Sequence, residues 1–219
     1  MKTFVIGDTH GCYSEFKMLL DSLDADFKTD RLIMLGDYID RGLQSYELLM
    51  ALQLLRNTYG SDHIVLIRGN HEQMAIDSSN DIEPCWGNGC DATLNSFKKH
   101  NYSLGEAVDF FKTMLLHYSD EYFFYVHAGV NPNRSFKDQS DNDFLWSRRE
   151  FISHSHKLDK TVIFGHTPTF YFTSQATKPQ FMNDKIALDT GCVYGYSLSA
   201  LELVDGQIVQ VHSVNRFAA

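Results

Sequence analysis

Two carboxylates and a guanidinium stand close together in the stretch Gly36-Asp37-Tyr38-Ile39-Asp40-Arg41-Gly42. Alone it would pass for a solvated turn, because Gly, Asp and Arg are ordinary loop residues. Four other segments change that: Gly7-Asp8-Thr9-His10-Gly11, Arg68-Gly69-Asn70-His71-Glu72, His127-Ala128-Gly129 and Gly165-His166-Thr167-Pro168. Carboxylate, imidazole and amide oxygen donors without a thiolate suit Mn, Fe or Zn in a reactive centre better than a structural zinc site. Two ions about 3.5 to 4 Å apart would need one bridging carboxylate. Asp37 is the natural bridge, with Asp8 and His10 on one ion and Asn70, His127 and His166 on the other.

Each of these segments ends an apolar run. Residues 3–6, Leu32 to Leu35, His63 to Ile67, Tyr122 to Val126 and Thr161 to Phe164 read as strands. Helical spacing follows the first two, at Tyr13, Phe16, Leu19, Leu20 and Leu23, and at Leu48, Leu49, Leu52 and Leu55. Strand ends of one sheet converge, so their side chains can meet at one edge. Between the third and fourth strands, 78–91 reads as loop, and helices are predicted from Ala92 to Lys99 and from Leu104 to His117. This segment, 78–118, carries no obvious chemistry and is expected to form a helical cap or rim beside the site. Ile186 to Leu188 ends in Asp189-Thr190-Gly191, and Leu198 to Val204 with Gln207 to Val214 reads as a hairpin across Asp205-Gly206. The pattern is α/β, and a doubly wound single sheet would satisfy it.

Formal charge decides what such a centre attracts. Two divalent cations offset by Asp8 and Asp37 leave about two positive charges, and Arg41 and Arg148 would each add another. A phosphate ester is the expected guest, since the planar guanidinium fork can pair with two phosphate oxygens. Arg149 and Arg68 are alternatives to Arg148. The net charge of -9 argues against a large surface for nucleic-acid backbones. With 43% hydrophobic and 21% charged residues, the 219-residue chain has the balance of one soluble domain. No apolar run approaches the roughly 20 residues of a membrane helix. Met1 to Ile6 leads into Gly7-Asp8 without a signal-peptide core, so a cytoplasmic protein is expected. Cys12, Cys85, Cys90 and Cys192 form no Cys-x-x-Cys pair, and reduced thiols are the expectation.

The ordered set Gly7-Asp8-x-His10-Gly11, Gly36-Asp37-x-x-Asp40-Arg41-Gly42, Gly69-Asn70-His71-Glu72, His127-Ala128-Gly129 and Gly165-His166-Thr167 resembles the phosphoprotein phosphatase family of binuclear metallophosphoesterases. Trp146-Ser147-Arg148 and Asp189-Thr190-Gly191 are most similar to its bacterial and phage members of the lambda phosphatase type. The resemblance implies a calcineurin-like α/β/β/α sandwich of two mixed β-sheets flanked by helices. It carries over the six ligands above, phosphate contacts at Arg41 and Arg148, and two divalent ions, Mn first with Fe or Zn as alternatives.

The expected reaction is in-line attack on phosphorus by a hydroxide bridging the metals. His71 would be the general acid for the leaving oxygen, oriented and kept protonated by Asp40. Substrates expected on this basis are phosphoserine and phosphothreonine in proteins, with phosphotyrosine also open. Related bacterial enzymes that cleave diadenosine tetraphosphate make dinucleoside polyphosphates or nucleotide caps the alternative, from which Glu72 leans slightly away. A scaffold that recognises phosphorylated partners without turnover would be expected to lack a ligand, His71 or Arg41, and none is missing. Asp189 is expected either to support a ligand or simply to end a strand.

Overall fold

Side chains along Lys2–Ile6 (β1) alternate, Phe4 and Ile6 facing one core and Val5 another, the two-residue period of a pleated strand. The computed structural model, which describes residues 1–81, 84–174 and 177–217, builds two five-stranded sheets on this alternation. In the first, β1 pairs in parallel with Arg31–Met34 (β2), and β2 with Ile64–Leu66 (β3). Ser197–Val204 (β9) lies antiparallel on the other side of β1, and Gln207–Asn215 (β10) antiparallel on β9.

The second sheet pairs His117–Ser119 (β4) with Phe123–Val126 (β5), then Thr161–Phe164 (β6), Lys185–Ala187 (β8) and Gln180–Phe181 (β7), in that spatial order. Its three inner strands β5, β6 and β8 are parallel.

Three apolar layers follow. Val5, Ile33, Leu35 and Val65 of the first sheet pack against Phe123, Tyr125, Ile163 and Ile186 of the second. The first sheet's other face, with Phe4, Ile6, Leu32 and Met34, is covered by Tyr13–Ser22 (α1) and Ser45–Tyr59 (α2) through Phe16, Leu19, Leu48 and Leu52. Asn70–Ser78 (α3), Cys90–Lys99 (α4) and Leu104–Lys112 (α5) extend that layer, with Phe97, Val108, Phe111 and Met114 in the same core. Outside the second sheet, Asp141–Trp146 (α6) and Arg149–Ser153 (α7) bring Phe144 and Phe151 onto Phe124, Val162 and Phe164. This is the α/β/β/α sandwich, and the single doubly wound sheet is excluded. No helix among the described residues is long and apolar enough to cross a membrane.

Two expectations are corrected. The helix predicted to His117 stops at Lys112, because Leu115 leaves it to pair with the chain after β3: its N–H donates to Leu66 O (3.0 Å) and its carbonyl accepts from Arg68 N–H (2.7 Å). Long-range backbone pairing overrides the helical spacing of Met114 and Leu115. The four thiols are not all reduced: Cys85 and Cys90 form a disulfide, with Cα atoms 5.8 Å apart. Gly87, Asn88 and Gly89 have φ of +78°, +55° and +92°, which turns the chain back so that the two sulfurs meet. Cys12 and Cys192 are free and buried.

Candidate active site

Because β1, β2 and β3 run parallel, as do β5, β6 and β8, their C-terminal ends deliver six loops to one edge of the sandwich. Those loops, with the first turn of α3, carry Asp8 and His10, Asp37 to Arg41, Asn70 and His71, His127, His166 and Asp189. Asp8, His10, Asp37, Asp40, Asn70, His71, His127 and His166 are all buried. A cleft of about 190 Å³ opens beside this cluster, lined by Asp37, Arg41, Asn70, His71, Arg148 and His166. Arg148 reaches it from the turn between α6 and α7, whereas Arg149 and Arg68 do not line it.

Asp37 stands at the centre. Its Oδ2 is 3.4 Å from His10 Nε2, and its Oδ1 is 3.4 Å from His127 Nε2. It is the residue common to two compact donor groups, His10–Asp37–His71 and Asp37–His127–His166. His10 Nδ1 lies 2.8 Å from Ile39 O and His127 Nδ1 3.0 Å from Leu35 O, so in each neutral ring the single N–H donates to backbone and Nε2 presents a lone pair.

The His127 lone pair faces Asn70 Oδ1 at 2.9 Å and His166 Nδ1 at 3.1 Å. Asp8 Oδ1 and His166 Nε2 are buried without a hydrogen-bond partner. Acceptors converging on one another, with orphaned ligand atoms beside them, are stabilised by a cation. The donor set therefore fits divalent metal. Arg41 responds to the same field: its guanidinium contacts His10 Nε2 and lies over the Tyr194 ring at 5.5 Å from the centroid.

The protonation states agree with this chemistry. Burial drives His10, His127 and His166 below the ordinary imidazole value, as ligation requires. Burial opposes charge on Asp37, but His127, His71 and His10 hold its carboxyl far below the usual range. Asp8 is pushed upward by burial and by Asp189 and Asp37, and Asp189 is pushed to about 7, chiefly by burial. Such crowding of carboxylates is relieved by bound cations.

Glu72 has a structural role that its motif does not announce. Its carboxylate accepts from the N–H groups of Tyr38 (2.8 Å), Asp37 (2.9 Å), Gly69 (2.9 Å) and Ile39 (3.3 Å), tying the loop after β2 to the start of α3. Turned toward backbone in this way, it says nothing of substrate. The loop needs such anchoring: of the eight non-glycine residues with positive φ among the described residues, five are His10, Asp37, Asp40, Arg41 and His166. Each left-handed conformation costs on the order of 1 to 3 kcal/mol and persists only where surroundings impose it. Gly69 and Gly165 serve another end, close approach, since a Cβ would lie 2.1 Å from Asp37 Oδ1 and 1.9 Å from Asp8 Oδ1 respectively.

Beside the metal-fitting cluster, His71 Nδ1 donates to Asp40 Oδ2 at 2.5 Å, leaving Nε2 toward the cleft, 3.9 Å from Asp37 Oδ2. Burial lowers the pKa of His71, but Asp37 and the bond to Asp40 more than offset it and the net shift is upward. Asp40 also accepts from Trp86 Nε1–H (2.6 Å) and Thr93 Oγ1–H (2.7 Å), two partners no motif announced.

The sequence profile described as "Calcineurin-like phosphoesterase" matches residues 1–195. The chain belongs to this family. Among relatives, an asymmetrical bis(5'-nucleosyl)-tetraphosphatase from Oceanobacillus iheyensis is 25% identical over 100% of this chain and 95% of that protein. Serine/threonine-protein phosphatase 2 of Salmonella typhimurium is 29% identical over 91% of this chain and 92% of that protein. The crystal structure of a cold-active protein-tyrosine phosphatase from a psychrophilic Shewanella shares the fold, with TM-score 0.68 and 18% identity over 94% of this chain and 76% of that one. As a calcineurin-like phosphoesterase, the chain is a metal-dependent phosphoester hydrolase, and its His and Asp cluster fits divalent ions.

Proposed function

We propose that this calcineurin-like phosphoesterase hydrolyses phosphomonoesters, with phosphoserine and phosphothreonine in proteins as its main substrates and phosphotyrosine within reach. The observation that carries the proposal is the division of Asp37, one oxygen toward His10 and the other toward His127, with the His71–Asp40 pair alongside. Asp8, His10 and Asp37 would hold one ion, and Asp37, Asn70, His127 and His166 the second, Mn being first choice and Fe or Zn alternatives. Two such ions supply a nucleophilic oxygen at neutral pH and polarise the phosphoryl group. Arg41 and Arg148, both lining the cleft, pair with the phosphate oxygens. His71 gives its Nε2 proton to the leaving oxygen while Asp40 keeps Nδ1–H in place and stabilises the cationic ring.

That acid favours the phosphomonoester reading. A serine or threonine alkoxide is a poor leaving group and gains most from protonation, whereas a nucleotide leaves as a stable anion. A specific feature favours the dinucleoside polyphosphate reading instead: Trp146, Tyr171 and Tyr194 line the cleft and are 39%, 68% and 43% exposed, surfaces on which a base could stack. The Mn-loaded protein assayed for phosphate release from phosphoserine and phosphothreonine peptides, and for cleavage of diadenosine tetraphosphate, separates the two. The phosphopeptides are expected to show the higher kcat/KM by at least about 10-fold. The reverse order would transfer the assignment to dinucleotides.

A further inference from the structure

The loop closed by the Cys85–Cys90 disulfide touches the catalytic stretch twice. Trp86 Nε1–H donates to Asp40 Oδ2, the oxygen that also accepts from His71. Gly89 O accepts from Arg41 N–H at 3.1 Å. Immediately beyond, Thr93 on the first turn of α4 donates to Asp40 Oδ1 and accepts from Asp40 N–H at 2.8 Å. The buried Asp40 is thus held on one side by His71 and on the other by residues 86–93. Its own φ of +73° is unfavourable for an aspartate and depends on these contacts. Within the loop, Cys85 is exposed and Cys90 buried, so a reductant in solution has access to one end of the bridge.

We propose that the bridged loop is a redox-responsive brace for the general-acid pair, with Trp86 as a positioning residue acting through Asp40. Closing the short loop removes conformations that Gly87 and Gly89 would otherwise open to it, and this keeps the indole on Asp40. A dithiol reductant opens the bridge by thiol–disulfide exchange. One thiolate attacks a cysteine sulfur, and the second thiolate then closes the reductant to its own disulfide. Two electrons and two protons pass to Cys85 and Cys90, which become thiols. With the bridge open, Trp86 leaves Asp40, and the acid is no longer held to the leaving oxygen. Esters with poor leaving groups are slowed and esters with good ones are spared. The cytosolic thiol pool would hold the brace open and oxidising conditions would close it.

The inference rests on His71 being the general acid, and the test separates the two claims. The metal-loaded protein, before and after dithiothreitol, is assayed on an alkyl phosphate and on 4-nitrophenyl phosphate, alongside Trp86→Phe, the double variant Cys85→Ser/Cys90→Ser, and His71→Asn. Reduction, Trp86→Phe and the double serine variant are each expected to lower kcat on the alkyl phosphate about 10-fold. KM and metal content should hold, and 4-nitrophenyl phosphate should respond by less than about 2-fold. Reduction should add nothing to Trp86→Phe or to the serine variant, and the Trp86 indole N–H resonance should shift on reduction of the unmodified protein. Thiol titration of the denatured protein should find Cys12 and Cys192 alone after incubation under oxidising conditions, with Cys85 and Cys90 added after reduction. Equal losses on both esters, an unmoved indole resonance, or four free thiols after incubation under oxidising conditions would overturn the brace. If His71→Asn shows the leaving-group dependence and the loop variants do not, the brace fails while the acid stands. If His71→Asn lacks it, the acid assignment has failed first, and the brace with it.

Discussion

Asp37→Asn is expected to empty the metal centre, with affinity falling roughly 100-fold or more and hydrolysis falling with it. The substitution is nearly isosteric, and asparagine tolerates the left-handed φ of +52° that Asp37 adopts, so the loop should survive. The amide oxygen can still accept the His71 N–H that lies 3.1 Å from Asp37 Oδ1. The amide nitrogen then replaces Oδ2 and points one of its two donor hydrogens at His10 Nε2, where a ligand oxygen stood 3.4 Å away. One change thus removes a negative charge and fills the neighbouring lone pair with a hydrogen bond. Metal analysis of the purified variant, with circular dichroism to confirm folding, checks it. A variant that retains full metal would remove Asp37 from the bridge.

His71→Ala is expected to behave differently, lowering turnover of alkyl phosphates by roughly 10² to 10⁴ with metal content intact. The geometry makes this a sharp test, because His71 is close enough to be mistaken for a ligand. It falls in one compact group with His10 and Asp37, and its ring stands edge-on to His10 with centroids 4.7 Å apart. Two observations set it apart. His10, His127 and His166 are driven by burial toward the neutral ring that a metal needs, whereas His71 shifts upward under Asp37 and Asp40. Its Nδ1–H is also committed to a carboxylate, while His10 and His127 donate to backbone carbonyls. Loss of metal in this variant, measured beside kinetics on alkyl and aryl esters, would make His71 a ligand instead.

Much of this site could be read from the chain because its residues lie where apolar runs stop. Asp8, Asp37, Asn70, His127 and His166 each follow a strand within a few residues, and parallel strands bring such positions together whatever else the fold does. The choice of two packed sheets over one was less accessible: Val5 and Phe4 look alike in sequence, yet one meets the second sheet and the other meets helices. Only the family resemblance decided it.

Supporting residues were harder still. Glu72 sits in a recognised motif, but its four N–H donors come from backbone at 37–39 and 69, and backbone leaves no signature in residue type. Trp86 and Thr93 lie about 50 positions from Asp40 in a segment that reads as loop and helix, and no local period links them to it. Cys85 and Cys90 stand five residues apart, a spacing that announces no bridge, and the positive φ values at Gly87, Asn88 and Gly89 that bring them together belong to the folded chain.

The central claim is that Asp37 joins two metal positions into one centre. Electron paramagnetic resonance of the protein loaded with Mn²⁺, with the bound metal counted in the same sample, addresses it most directly. Two ions per chain and an exchange-coupled spectrum, replaced in Asp37→Asn by weak or uncoupled signals, are the predicted result. A single ion per chain with an isolated-ion spectrum would contradict the claim.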